Sequence, residues 1–134
     1  MKITLKAMLA MLVALALAVL GGWLWGVAGR SRTEAVLTRA SVGLHLANAR
    51  SNMLAARVSL FEVNFGDASR SLENAKADLV TAAEAFDGLR LKDEAAAARE
   101  VAARVDEAQQ LAGRLDQAAN TRLAEALRLL PKMP

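Results

Sequence analysis

The sequence predicts an all-α protein: a single amino-terminal transmembrane helix followed by a three-helix antiparallel bundle, a coiled-coil-like ectodomain. Three observations carry that expectation. An uncharged, mostly apolar run extends from Ala7 to Ala28, apolar residues recur every three or four positions through most of the remaining chain, and both prolines, Pro131 and Pro134, lie at its carboxy-terminal end. Nothing in the interior breaks helices, and Ala, Leu, Arg and Glu, all strong helix formers, dominate the composition.

Taken in order, residues 1–29 read as an amino-terminal tail and a signal-anchor. At ~1.5 Å rise per residue, a helix over the apolar run matches the ~30 Å hydrocarbon core of a bilayer. Lys2 and Lys6 would also suit a cleaved signal peptide, but such segments have a shorter apolar region and a small-residue cleavage site. Here the run continues through Trp23, Leu24, Trp25 and Val27, with only Val27-Ala28-Gly29 as a cleavage candidate. A retained span is expected, with Trp23, Trp25, Arg30 and Arg32 at the membrane interface and bilayer lipid as a partner. A short tail directly before the span favours a single-pass topology with the carboxy-terminal domain outside the cytoplasm, periplasmic in a bacterium. Gly22 and Gly26 form one GxxxG step, a weak dimerisation signal on its own.

Residues 30–134 read as one helical domain, with helices over about 34–65, 68–88 and 93–130. The first carries two apolar seams. One is Val36, Ala40, Leu44, Ala47, Ser51, Leu54, Val58, Phe61, Phe65, and beside it runs Leu46, Ala49, Met53, Ala56, Leu60, Val63. Two adjacent seams predict contact with two neighbours. The second helix has one clean seam, Ala68, Leu72, Ala75, Leu79, Ala82, Phe86, Leu89. Between these helices Asn64, Gly66 and Asp67 form the expected hairpin turn, Gly66 taking the left-handed conformation and Asp67 capping the next helix. A second break is expected at Asp87-Gly88, with Asp93 as the cap of a third, alanine-rich helix that Pro131 ends. This helix carries the seam Val101, Val105, Ala108, Ala112, Leu115, Ala119, Arg122, Ala126, Leu129.

Charge narrows the functional classes. Of 17 Lys and Arg against 14 Asp and Glu, Lys2 and Lys6 belong to the tail, so the helical domain is near neutral and has no basic footprint for nucleic acid. Cysteine is absent and His45 is the sole histidine, which leaves no zinc ligand set and no nucleophile-histidine-carboxylate triad. His45 shares a polar strip with Ser41, Asn48 and Asn52, and boundary packing accounts for it. Asp93 with Glu94 and Asp106 with Glu107 are adjacent on helices and diverge by about 100°, so they do not converge on a substrate. No catalytic, cofactor-binding or metal-binding residue is assigned, and an enzyme is not expected.

The Phe65-Gly66-Asp67 turn, followed by Ala68, Leu72 and Ala75, resembles the helix-turn-helix of tetratricopeptide hairpins. No repeat recurs at the ~34-residue period of that family, so no peptide-binding groove is transferred from it. The function expected is a membrane-anchored, non-enzymatic interaction, scaffold or sensory module, engaging a protein partner or a second copy through its helical seams. The alternative is a tethered bundle that holds a small apolar molecule or lipid near Met53, Leu60, Phe61 and Phe86.

Overall fold

The computed structural model describes the backbone of residues 5–132 and the side chains of 11–20, 22 and 34–132. Four helices and no strand are present among the described residues: α1 (Leu5–Phe61), α2 (Phe65–Gly88), α3 (Lys92–Gly113) and α4 (Ala118–Leu129). The protein is all-helical. Its contacts divide it into two compact units, Met1–Leu37 and Thr38–Pro134.

In the first unit the described large apolar side chains, Met11, Leu12, Val13, Leu15, Leu17, Val19, Leu20, Val36 and Leu37, are all exposed. Among the described residues no helix is long and apolar enough to cross a membrane. That finding corrects the expected single-pass localisation and transmembrane anchor. The interface residues expected from the sequence, Trp23, Trp25, Arg30 and Arg32, have side chains outside the described residues, as do Lys2, Lys6 and Gly26.

The second unit is a helical bundle in which each helix runs antiparallel to the next. His45 on α1 meets Asp78 on α2, Lys76 on α2 meets Asp106 on α3, and Glu107 on α3 meets Arg122 on α4. Arg57 on α1 donates from Nε to Oδ1 of Asn120 on α4 at 2.8 Å and closes the ring of four. Alanine dominates the core: Ala49, Ala75, Ala82, Ala98, Ala108 and Ala126 are fully buried, and Phe86, Met53, Leu72, Leu79 and Leu123 fill the space between them. Small seam residues let backbones approach closely, whereas the few large side chains supply most of the buried area. No polar side chain is buried among the described residues.

Three turns connect the four helices, and all use one geometry. Val63, Arg90 and Leu115 take φ of 60°, 62° and 59°, while no described glycine has positive φ. At the first turn the Asn64 amide donates to Ser59 O at 2.8 Å and the Val63 amide to Leu60 O at 3.2 Å. Leu91 to Phe86 and Arg90 to Asp87 repeat the pair at the second turn, as do Asp116 to Leu111 and Leu115 to Ala112 at the third. These are the paired bonds of the Schellman motif, which satisfy carbonyls that a helix end otherwise leaves orphaned.

The left-handed residue is therefore Val63 and not Gly66, which lies inside the first turn of α2. Asn64 caps α2 and Asp67 sits in its first turn: the Asp67 amide donates to Asn64 Oδ1 at 3.3 Å, and Asn64 Nδ2 donates to Asp67 Oδ2 at 2.6 Å. Likewise α3 starts after Leu91, with Asp93 in its first turn instead of at the cap. The one helix expected over 93–130 is two, α3 and α4, broken at 114–117. Asp116 makes that break, accepting the Ala118 amide on Oδ1 at 2.9 Å and the Ala119 amide on its carbonyl at 3.1 Å.

Candidate functional site: an uncovered helix face between two concavities

Only one of the two seams of α1 is used by the bundle. Leu46, Ala49, Met53 and Ala56 are buried, and Leu60 packs against the same core. The other seam, Ala40, Leu44, Ala47, Ser51, Leu54, Val58 and Phe61, is exposed along its whole length. Its large members remain in solvent to a degree that ordinary packing does not leave, with Leu44 60%, Val58 55% and Phe61 71% accessible. Spacing explains how both can coexist. The two rows lie on different faces of one helix, and α2 and α4 together cover only one of them.

Two concavities flank this seam. At the end of the bundle, a cavity of about 640 Å³ is lined by Leu60, Phe61, Val63 and Phe65 from the first turn and by Leu115 and Asn120 from the third. Both left-handed apolar residues, Val63 and Leu115, stand at this end, and both are exposed. Left-handed backbone costs an L-residue about 1–2 kcal/mol, and a β-branched one is a genuine outlier there.

Along the side, α1 and α4 form a groove of about 850 Å³, with Ala47, Leu54, Leu127 and Leu130 as apolar lining and Arg50, Arg57, Arg128 and Lys132 as its charged residues. Its lining contains no acidic residue. Among the described residues Arg50, Arg128 and Lys132 have no acidic partner, and Arg57 bonds only the neutral amide of Asn120.

Elsewhere in the bundle Arg70, Lys76, Arg99, Arg104 and Arg122 are paired with acids, while Arg39, Arg90, Lys92 and Arg114 are, like the groove cations, without an acidic partner among the described residues. Lys76 with Asp106 and Arg99 with Asp87 join α2 to α3. Arg104 contacts Glu100 and Glu125, while Arg122 contacts Glu107 and Glu125. The hydrogen bond to Glu100 raises the Arg104 pKa above its ordinary value, with the charges of Glu100, Glu125 and Glu107 adding to it. The Lys76 hydrogen bond holds the Asp106 carboxyl below its ordinary value, helped by Gln110.

The structure separates the residues that the sequence grouped as a ligand pocket. Met53 and Phe86 are fully buried in the core, whereas Leu60 and Phe61 line the end cavity. The turn residues Asn64, Gly66 and Asp67 come together at the start of α2. His45 is held by Asp78, and no group of three or more His, Cys, Asp or Glu among the described residues could hold a metal ion. The basic groove was not anticipated. Its signal was present as the stretch 35–61, which has Arg39, Arg50 and Arg57 and no acidic residue.

No protein-family model matches this chain, and neither curated proteins nor solved structures give a match.

Proposed function

We propose that this protein is a non-enzymatic interaction module that docks a partner helix against the outward seam of α1. The observation that supports this reading is the uncovered row from Ala40 to Phe61, which keeps heptad spacing while the bundle packs on the other row. A regular apolar row of this length is what a partner helix covers by knobs-into-holes packing. Fully burying one Leu, Val or Phe contributes about 1.5–3 kcal/mol, so the row offers enough apolar area to offset part of the cost of association.

A photo-crosslinking amino acid placed at Leu44 or Leu54 tests the reading in cells. Discrete adducts from both positions, identified by mass spectrometry as one protein and absent when the label replaces Glu73, are the expected result. Equal adducts from Glu73, or none from the seam, would overturn it.

A second reading rests on the end cavity. Its volume lies within the ~300–1,000 Å³ range of small-molecule sites, and its lining is mixed, with Leu60, Phe61, Val63, Phe65 and Leu115 facing Arg57, Asp116 and Asn120. A small apolar ligand seated on Leu60, Phe61 and Phe65 would quench no tryptophan in the bundle, since Trp23 and Trp25 are the only two. Its assay is retention of extracted lipid or fatty acid by the purified chain, followed by mass spectrometry.

A further inference from the structure

The charge around the groove says what kind of helix fits. Arg50 and Arg57 lie seven residues apart on α1, two helical turns or ~10.5 Å, and both line the groove beside Ala47 and Leu54. Arg128 and Lys132 line it from α4 and the segment that follows. An apolar strip with cations on both helices that form it, and with no acid in its lining, is complementary to one class of occupant. Building on the docking reading above, we infer that the α1–α4 groove receives an acidic amphipathic helix from another protein, its apolar face on Leu54 and Leu127 and its carboxylates on the four cations.

Two observations on the molecule argue against a second copy as the occupant. Pairing α1 with α1 would bring together two segments that carry only arginine charges between residues 35 and 61, and like charges across a helical seam repel. The acidic surface of the chain lies on α2, with Asp67, Glu73, Asp78, Glu84 and Asp87 against Arg70 and Lys76, and on α3. That surface offers charge without an apolar row: Val80 is the only large hydrophobic residue on α2 or α3 that is exposed. It could reach the cations but would leave Leu54 and the rest of the seam uncovered.

The partner helix follows from the geometry. It carries Leu, Ile or Met at heptad spacing and Glu or Asp at positions flanking that row, because carboxylates seven residues apart repeat the Arg50–Arg57 interval. Electrostatic steering would speed its arrival and reject basic helices.

The experiment uses the full-length chain and two synthetic probes, fluorescently labelled amphipathic helices with an identical leucine row, one flanked by Glu and the other by Lys. Fluorescence anisotropy is expected to show binding of the Glu probe at least tenfold tighter than the Lys probe, weakening as salt rises. R50E with R128E should reverse that preference, and circular dichroism of the doubly substituted chain should match the parent, since neither arginine has a partner in the bundle. Equal affinity for both probes, no binding of the Glu probe, or unchanged preference in the doubly substituted chain would each overturn the inference. If the Glu probe fails while the crosslinks at Leu44 and Leu54 persist, the charge assignment falls and the docking reading stands. Loss of those crosslinks removes the docking reading itself.

Discussion

Nδ1 of His45 lies 2.8 Å from Oδ1 of Asp78, and Nδ2 of Asn52 donates to the other oxygen of the same carboxylate at 3.4 Å. Asp78 thus ties two points of α1 to α2, on the side of α1 away from its outward seam. Both His45 and Asp78 are largely removed from solvent, so losing either partner leaves polar atoms poorly satisfied. Asp78→Ala is expected to destabilise the bundle by about 1–2 kcal/mol and His45→Ala by less, because the first change deprives two donors. A double-mutant cycle in urea should return a coupling between the two positions; additive effects would show that the contact does not form in solution.

Leu72 and Glu73 are adjacent on α2 and have opposite fates: Leu72 is fully buried and Glu73 exposed. Leu72→Asp removes apolar area and sets a carboxylate in the core, so a loss of several kcal/mol is expected, against under about 0.5 for Glu73→Gln. Thermal melts followed by circular dichroism check it, and comparable effects would displace the α2 register.

Glycine and valine exchange their expected roles at the first turn. An added Cβ at Gly66 would meet only Asn64 Oδ1, at 3.8 Å, an ordinary contact. Gly66→Ala should therefore stabilise by up to about 1 kcal/mol through reduced freedom of the unfolded chain. Val63→Gly relieves left-handed strain of ~1–2 kcal/mol but adds unfolded-state freedom, so its net effect is a gain of about 1 kcal/mol or less. Destabilisation by Gly66→Ala in chemical denaturation would show that the turn is built differently.

Which parts of this architecture the residues disclose follows from what periodicity measures. The α2 seam was legible because it is the helix's main apolar row, and every member from Ala68 to Phe86 is buried. On α1 two rows are equally apolar, and periodicity cannot say which of them a neighbour covers. The turns lie a few residues from where the sequence places them because steric preference points to glycine as the left-handed residue, whereas paired Schellman bonds hold Val63, Arg90 and Leu115 there. The α3–α4 break stayed hidden for another reason. Ala108, Ala112 and Ala119 are all buried on either side of it, so the seam keeps its phase across the reversal, and Gly113 with Asp116 was the only local cue. The groove was invisible in net charge because the basic excess of α1 and α4 is offset by the acidic excess of α2 and α3.

Acid should weaken the α2–α3 contact in a definite direction. Since Lys76 holds the Asp106 pKa below its ordinary value of 3.8, the ionised carboxylate contributes stability that is present above that value and lost as pH falls through the lower folded value. Lys76→Met removes this contribution. The stability difference between the parent chain and this variant should be constant above about pH 5 and close as pH drops below the ordinary carboxylate range. A gap that widens in acid would reverse the assigned sign.

Asp116 governs the shortest helix and, with it, one wall of the groove. α4 has 12 residues, at the length where an isolated helix is marginal in water, so its order depends on the docking of Ala119, Leu123 and Ala126 and on the Asp116 carboxylate, one residue before the Gln117 N-cap, that accepts its first amide. Asp116→Ala deletes the acceptor for the Ala118 amide, and a lost cap of this kind costs about 1 kcal/mol. Because α4 is held to α3 by a turn and two largely exposed ion pairs, Arg122–Glu107 and Arg104–Glu125, and to α1 by one hydrogen bond, that loss should appear as local opening and not as global unfolding. Amide hydrogen exchange is expected to quicken roughly fivefold across Ala118–Leu129, with α2 nearly unchanged. Uniform acceleration in all helices would show that α4 opens only with the whole bundle, and no acceleration would mean that Asp116 does not cap it. Local opening would also lower affinity for an acidic helical probe through Arg128 and Lys132, which lose their fixed place beside Arg50.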